Sequence, residues 1–571
     1  MTDPKILARA QSWLDDPYYD EATKAEVRSL LKNPEQLTDA FYTDLSFGTG
    51  GLRGIMGVGS NRINIYTIRK ASQGLANYIK KHGNPFKGVA IGFDSRHHSH
   101  EFAEESAKVF AGNGIKAFLM EELRPTPYVS FATRHLKAQA GVMITASHNP
   151  KEYNGYKVFW QDGGQVVPPH DTGIISEVDA ISSPSQIQLA RIDDPLIISV
   201  NTTLDEDYLR ALSALQHFPG EDLQNHLALK ICYTSLHGTG ITLMPEALRR
   251  WGFSPPHLVA SQIVPDGNFP TVHFPNPEYP EALKDGIADL VQTGNDMLIA
   301  TDPDADRLGV VVRHRDKPVT LSGNEQAAIA AYFICDTLKI QKKLPSKGAI
   351  VTTIVTTELL KKIADAYQVK CFEVLTGFKY IGEKIHQWEQ KPGGYQFLFG
   401  AEESYGYLMG TYARDKDAMI AGCLFAEIAM KMKEQGKTVV DLLYDIYRKF
   451  GIFREKQFSL TFEEGKKGLD AIFRLMEKLR KSPPDALAGQ KIVSTEDYLK
   501  GTSENLPRSD VLLYRLEDKS KIIIRPSGTE PKLKIYLAAQ TSVESIEKGL
   551  DACNQKLEIL ISALKKDLRG Y

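Results

Sequence analysis

From Lys87 onward the chain repeats one pattern, in which short apolar runs alternate with amphipathic segments of helical length. Gly88 to Phe93, Glu101 to Gly112, Ile115 to Met120, Tyr128 to Leu136 and Ala140 to Ile144 follow in that order, which predicts a βαβαβ unit. The alternation returns at Leu229 to Tyr233, Leu243 to Trp251, Ala282 to Gln292 and Met297 to Ala300, and again at Ala349 to Thr353, Glu358 to Tyr367, Cys371 to Leu375 and Tyr395 to Gly400. After Phe450 the pattern changes to strands with one helix among them (Gln457 to Phe462, Leu469 to Leu479, Val511 to Leu516, Lys521 to Ile524) and a closing amphipathic helix, Val543 to Leu564. The fold class this predicts is α/β: three consecutive α/β domains plus a C-terminal α+β domain. A chain of 571 residues, at about 100 to 200 residues per domain, accommodates four. The boundaries are expected at 1–204, 205–320, 321–450 and 451–571.

Composition excludes several classes of partner. With 69 Lys and Arg against 71 Asp and Glu, the formal net charge of −2 provides no field that gathers nucleic acid or an anionic membrane. Met1 to Asp16 lacks the apolar stretch of a secretory signal, and no later segment approaches about 18 consecutive apolar residues. Cys232, Cys335, Cys371, Cys423 and Cys553 are scattered, without a Cys-x-x-Cys pair, which fits a reducing cytoplasm better than a disulfide framework or zinc site. The expectation is a cytoplasmic protein whose partners are small molecules.

The strand-like runs lead into chemically unusual loops. Val142 to Ile144 enters Thr145-Ala146-Ser147-His148-Asn149-Pro150, which exposes a serine hydroxyl at a strand end. Ser, Asn and Pro are also ordinary turn residues, so alone this loop proves little. Met297 to Ala300 enters Asp302-Pro303-Asp304-Ala305-Asp306-Arg307, where three alternating carboxylates repel one another unless a cation sits among them. A hard, oxygen-seeking ion such as Mg²⁺ suits that set. An EF-hand starting at Asp302 would need Gly at position six and Glu at twelve, where this chain has Arg307 and Arg313. The aspartyl-phosphate hydrolase loop is a more distant alternative, because Arg307 and Leu308 follow the aspartates.

Arg525-Pro526-Ser527-Gly528-Thr529-Glu530 combines a guanidinium, two hydroxyls and a glycine that lets backbone N–H groups approach an anion. Gly48 to Gly54, with Arg53, is a weaker signal of the same kind, and neither is a P-loop. Phe397 to Phe399 enters Ala401-Glu402-Glu403-Ser404, and Thr376-Gly377-Phe378-Lys379 adds a cation at another strand end. Lys157 lies ten residues past Ser147, near enough for a short excursion to bring it back. Nucleophile, cation cage and anion cradle together suit phosphoryl transfer, which asks mainly for positioning and charge neutralisation.

With Phe47 to Gly54, the serine loop, Tyr153-Asn154-Gly155-Tyr156-Lys157, Ser235 to Gly240, the aspartate loop, Thr376 to Lys379, Ala401 to Gly406 and Arg525 to Lys532 in this order, the chain resembles the α-D-phosphohexomutase superfamily over nearly its whole length. The resemblance implies mixed α/β sandwich domains around a central cleft, a phosphoserine at Ser147, and Mg²⁺ held by Asp302, Asp304, Asp306 and Ser147. It also implies Lys157 as leading acid/base, with His148, Arg53 and Arg307 assisting at the transferring group. Glu402 and Ser404 would read sugar hydroxyls. Thr376, Gly377, Lys379, Arg414, Lys416, Arg525, Ser527, Gly528 and Thr529 would bind the rest of the substrate, chiefly its non-reacting phosphate. Glucose phosphates, with glucose 1,6-bisphosphate as activator and intermediate, are the expected ligands, and mannose and pentose phosphates stay open. A sugar phosphatase and a noncatalytic sensor are the competing classes. Ala401 departs from the glycine many relatives carry, which is harmless only if its φ is negative.

Overall fold

The apolar runs become strands and the amphipathic segments become helices. The computed structural model describes residues 3–46, 51–200, 202–219, 228–463, 466–501, 506–527, 532–542 and 545–568. Two compact units emerge: the first takes residues 1–321, 378–400 and 404–434, the second 322–377, 401–403 and 435–571.

The first unit begins with three short helices, α1 (Pro4–Asp15), α2 (Glu21–Leu30) and α3 (Pro34–Phe41). Asp3, Asp20 and Asn33 cap them through side-chain oxygens that accept first-turn N–H groups. The elements that follow are β1 (Gly51–Ile55), α4 (Ile65–His82), β2 (Val89–Phe93), α5 (Ser99–Gly112), β3 (Ala117–Met120), α6 (Thr126–His135), β4 (Ala140–Ile144), β5 (Tyr153–Trp160), α7 (His170–Asp179), β6 (Ile197–Val200) and α8 (Thr203–Ser213). Their strands form one sheet in the order β1-β5-β4-β2-β3-β6. The βαβαβ reading is right for β2, β3 and β4, which are parallel. β5 and β1 add antiparallel strands, so the sheet is mixed. The β5 register sets Lys157 opposite Met143 of β4, which returns the lysine toward the serine loop. Ile91, Val142, Ile144 and Val158 are fully buried in the core beneath.

A second mixed sheet, ordered β11-β10-β9-β7-β8, comprises β7 (Ile231–Thr234), β8 (His257–Leu258), β9 (Met297–Thr301), β10 (Leu308–His314) and β11 (Lys317–Leu321), with helices α9 (Met244–Arg250) and α10 (Pro280–Thr293). The aspartate loop is the β9–β10 connection. The chain then enters the second unit for α11 (Gly323–Ile340), β12 (Gly348–Thr353), α12 (Leu359–Ala366) and β13 (Lys370–Val374), where β12 and β13 pair in parallel. It returns to the first for α13 (Phe378–Glu389), most of β14 (Gln396–Glu402), β15 (Gly406–Met409) and α14 (Ala418–Glu434).

The second unit is completed by α15 (Val439–Phe450), β16 (Ile452–Thr461), α16 (Lys466–Lys481), β17 (Ala486–Leu487), β18 (Gln490–Asp497), β19 (Leu512–Leu516), β20 (Lys521–Pro526), β21 (Lys532–Thr541) and α17 (Ile546–Asp567). Its six-stranded sheet is antiparallel throughout, in the order β16-β21-β20-β19-β18-β17, with α17 packed on β16 and β21. This is the α+β pattern expected at the C-terminus. The expected strand at Gln457 to Phe462 is longer, starting at Ile452.

The three N-terminal helices close around Trp13, whose ring stacks on Tyr19 at 4.2 Å and meets Phe41 and Tyr66 edge-on at 5.4 and 5.6 Å. Tyr66, on α4, donates from its hydroxyl to Asp20 Oδ2 at 2.9 Å, which fastens the helices to the first sheet's own layer. Replacing Trp13 with alanine should destabilise this small core by about 3 to 5 kcal/mol. Limited proteolysis should then cut within residues 3–46 first, leaving a stable larger fragment; a cleavage pattern identical to wild type would show that the ring is dispensable.

Candidate active site

Ser147 stands just past β4 with φ of 53°, in the left-handed region that L-residues adopt only when their surroundings hold them there. Its main-chain N–H donates to Thr145 Oγ1 at 2.7 Å. Its hydroxyl donates to Asp302 Oδ2 at 3.0 Å and lies 3.2 Å from His148 Nδ1. The serine and aspartate loops therefore meet, across 155 residues of chain.

Asp302, Asp304 and Asp306 are completely buried, and one oxygen from each lies within 4.8 Å of the others. The loop builds this cluster from its own backbone: Asp302 Oδ1 accepts the N–H groups of Asp306 and Arg307, both at 3.0 Å, and Ala305 turns the chain with φ of 49°. Neighbouring segments brace it. Thr239 N–H donates to the Pro303 carbonyl at 2.7 Å, an approach so close that a Cβ on Gly238 would lie 2.2 Å from Pro303 Cα. Leu308 N–H donates to the Tyr405 carbonyl, and Ala418 N–H to that of Ala305.

Two ammonium groups enter the cluster. Lys157 Nζ lies 2.7 Å from Asp304 Oδ2 and 3.0 Å from Asp306 Oδ2, and Lys416 Nζ lies 2.8 Å from Asp306 Oδ2. Thr126 Oγ1 donates to Asp304 Oδ2 at 2.6 Å. Among the described residues, Asp304 Oδ1 and Asp306 Oδ1 are buried and find no hydrogen-bond partner. Three converging carboxylates with two unpartnered oxygens form a donor set that fits a divalent, oxygen-seeking cation.

Burial first, then the charges of Asp304 and Asp306, push the Asp302 carboxyl well above its ordinary 3.8. Burial also opposes ionisation of Asp306, but Lys157, Lys416 and Arg307 outweigh it and hold that carboxyl below the usual range. Lys157 is buried as well, yet Asp304 and Asp306 keep its pKa above the ordinary 10.5. His148 is driven well below 6.5, by burial and then by Arg307 and Arg53, so its imidazole is neutral beside the serine. Arg53 Nη1 donates to Asn149 Oδ1 at 3.2 Å. Arg307 forms an ion pair with Glu278 and places Nε 3.9 Å from Asp306 Oδ1.

Lys416, expected on the non-reacting phosphate, instead belongs to the aspartate cluster, since its segment carries it to Asp306. Arg414 is fully buried and committed to Glu389 Oε2 and to the carbonyls of Thr411 and Ala413. Lys379 is half-buried and lines a cavity of about 310 Å³ with Trp160, His170 and Glu383; burial lowers its pKa from 10.5. Ser404 is half-buried ahead of β15. In the second unit, Glu402 Oε1 accepts the Gly377 N–H at 2.9 Å, and Arg525 Nη1 donates to Thr376 Oγ1. Ser527 N–H donates to the Lys532 carbonyl at 2.8 Å, while Gly528 and Thr529 lie outside the described residues. Ala401 lies in β14 without a positive φ, so its Cβ is tolerated there.

The sequence reading missed Thr126 and Arg96. Thr126 carries a faint signal, a Thr-Pro pair that starts a helix. Arg96 had a stronger one, because Asp94-Ser95-Arg96 follows β2, the strand parallel to and beside β4.

Comparisons with known proteins find one family along most of the chain. The family described as phosphoglucomutase/phosphomannomutase matches through its alpha/beta/alpha domain I at residues 44–185, domain II at 206–315, domain III at 322–450 and C-terminal domain at 476–554. The helices α1 to α3 precede the first match. A phosphoglucomutase of Staphylococcus haemolyticus is 38% identical over 511 residues, 87% of this chain and 91% of that protein. One from Staphylococcus epidermidis is 37% identical over 543 residues, 92% of this chain and 96% of its own length. Solved structures share the fold at lower identity. A putative phosphomannomutase from Thermus thermophilus has a TM-score of 0.68 at 22% identity, covering 92% of this chain and 99% of that one. The pp63/parafusin phosphoglucomutase from Paramecium has 0.68 at 19%, covering 92% and 95%.

The raised Asp302 pKa has a measurable consequence. A carboxyl whose folded value exceeds its unfolded one disfavours folding when ionised, so this group lowers stability as pH rises from 3.8 through its folded value. In metal chelator, Asp302→Asn should therefore melt above wild type by a margin that grows as pH rises above 3.8, at about 2 to 4 °C per kcal/mol relieved. Divalent cation should abolish the margin by stabilising wild type alone. A margin independent of pH would contradict the assignment.

Proposed function

The chain belongs to the phosphoglucomutase/phosphomannomutase family, and we propose that it interconverts α-D-glucose 1-phosphate and glucose 6-phosphate through a phosphorylated Ser147 and a glucose 1,6-bisphosphate intermediate. One observation carries the reading: the Ser147 hydroxyl lies 3.0 Å from Asp302 at the edge of a buried carboxylate trio that also holds Lys157.

Asp302, Asp304, Asp306 and the oxygen on Ser147 would hold Mg²⁺, which when bound neutralises charge on the transferring phosphoryl group. The protein's own groups handle the protons. When Ser147 takes a phosphoryl group from the bisphosphate, its O–H bond breaks as the O–P bond forms, and the neutral His148 Nδ1 at 3.2 Å accepts the proton. The sugar oxygen that leaves phosphorus takes a proton from Lys157, whose raised pKa keeps it charged. In the other half-reaction the same transfers run backward. Arg53 and Arg307 add positive charge beside the reacting oxygens.

Glu402 and Ser404 are assigned to the sugar hydroxyls. Thr376, Gly377, Lys379, Arg525, Ser527, Gly528 and Thr529 are assigned to the phosphate that is not reacting. The ligands are small sugar phosphates, and the scattered free cysteines fit an enzyme of the cytoplasm. Among the described residues no helix is long and apolar enough to cross a membrane.

With glucose 1-phosphate, Mg²⁺ and a trace of glucose 1,6-bisphosphate, glucose 6-phosphate should form faster than the corresponding products from mannose 1-phosphate or ribose 1-phosphate run beside it. Steady release of inorganic phosphate in place of isomerisation would identify a phosphatase and end the mutase reading. Ser147→Ala should lower turnover by about four powers of ten or more. Lys157→Met should cost about two to four powers of ten in kcat, while intact mass still shows Ser147 acquiring phosphate from the bisphosphate.

A further inference from the structure

Arg96 follows β2, and its side chain is completely buried. Nη1 donates to the carbonyls of Pro150 and Tyr153 at 2.8 and 3.0 Å, and Nη2 to those of Ser147 and Asn149, both at 2.5 Å. Asp94 Oδ2 lies 3.4 Å from Nε, and Asp94 Oδ1 is fixed in turn by the hydroxyl of Ser99 at 2.7 Å. Above the guanidinium lies the ring of Phe269, at 4.9 Å from its centroid. Phe269 comes from the segment matched by domain II of the family, not from the serine's own domain. The two segments approach so closely that a Cβ on Gly267 would lie 2.7 Å from the main-chain N of His97, and His97 Nε2 is 3.0 Å from Asn268 Oδ1.

Four carbonyl dipoles pointing at one place repel one another unless a donor with several fixed N–H vectors sits between them. A guanidinium meets that need, and a lysine ammonium on a flexible stem does not. The same turn contains the left-handed Ser147, a conformation that persists only where the surroundings over-determine it.

We propose that Arg96 is a positioning residue for phosphoryl transfer: by gathering four main-chain carbonyls of residues 147–153 beneath the Phe269 ring, it holds Ser147 in its left-handed conformation with the hydroxyl on Asp302. The kinetic consequence rests on the mutase reading, whereas the clamp itself rests on geometry alone. Phe269 makes the clamp report on the neighbouring domain, so that loop order depends on both segments being in place.

Arg96→Lys and Phe269→Leu test this in the full-length protein. In Arg96→Lys, amide hydrogen exchange over residues 147–156 should accelerate, and kcat for glucose 1-phosphate with Mg²⁺ should fall about a hundredfold, as expected for a nucleophile displaced by about 1 Å. KM should change by less than about twofold, because substrate contacts are untouched. Phe269→Leu keeps an apolar lid without the π face and should accelerate the same exchange to a smaller extent, with a kcat loss of about threefold. A residue needed only for folding would lower the melting temperature without slowing turnover per folded molecule. Folded Arg96→Lys with kcat within about threefold of wild type, or with unchanged exchange over 147–156, overturns the proposal. If Arg96→Lys does not fold, loop exchange in Phe269→Leu decides alone: acceleration supports the clamp and no change removes it. A wild-type protein without mutase turnover would defeat the functional reading, and the exchange measurement would still judge the clamp.

Discussion

Three carboxylates with no exposed surface do not lie within 4.8 Å of one another unless their repulsion is offset. Lys157 and Lys416 bring two positive charges to the trio, and Arg307 stands at the margin. The offset is incomplete: the Asp302 carboxyl still resists ionisation, and among the described residues two of the trio's oxygens have no hydrogen-bond partner. That imbalance is the constraint from which the rest of the first unit can be understood. It accounts for a lysine returned by an antiparallel strand, for a second lysine delivered just ahead of α14, and for a serine held at the cluster's edge. A buried site of this kind costs stability when empty and so favours a cation that would relieve the same repulsion.

Rigid positioning explains the surrounding architecture. Phosphoryl transfer is catalysed mainly by placement and electrostatics, so an error of about 1 Å at the serine matters more than the chemistry of any one side chain. The aspartate loop is fixed by its own N–H groups on Asp302 and by the carbonyl contact from Thr239. The serine loop is fixed by Thr145 on its N–H and Arg96 on its carbonyls. In each case a backbone that would otherwise be free at a strand end is pinned by a buried polar group.

Much of this was legible in the sequence, and the remainder was hidden for definable reasons. The periodicity located β2 to β4, α5 and α6 within a few residues, because alternation of short apolar runs and amphipathic segments is a strong signal. It did not disclose that β5 and β1 run antiparallel, since a strand's residues do not record the direction of the neighbour it pairs with. Asp302, Asp304 and Asp306 announced themselves by spacing, which has no ordinary structural use. Arg96 did not, because its acceptors are main-chain carbonyls, which any sequence provides. Lys416 was found for its charge, but its contact with Asp306 was not legible. Composition shows that a cation is present, whereas what it meets depends on how Ala418 N–H docks on Ala305. The helices α1 to α3 carry no chemical motif, and their order rests on Trp13 and its aromatic neighbours.

The central claim is that one divalent ion joins the serine to the aspartate trio. Anomalous scattering from crystals of the Ser147-phosphorylated protein grown with Mn²⁺ in place of Mg²⁺ tests it most directly. The account predicts a single strong peak in the first unit, coordinated by oxygens of Asp302, Asp304 and Asp306 and by a phosphate oxygen on Ser147. A peak that lacks any of the three aspartates, or a cluster that remains without metal at saturating Mn²⁺, would contradict it.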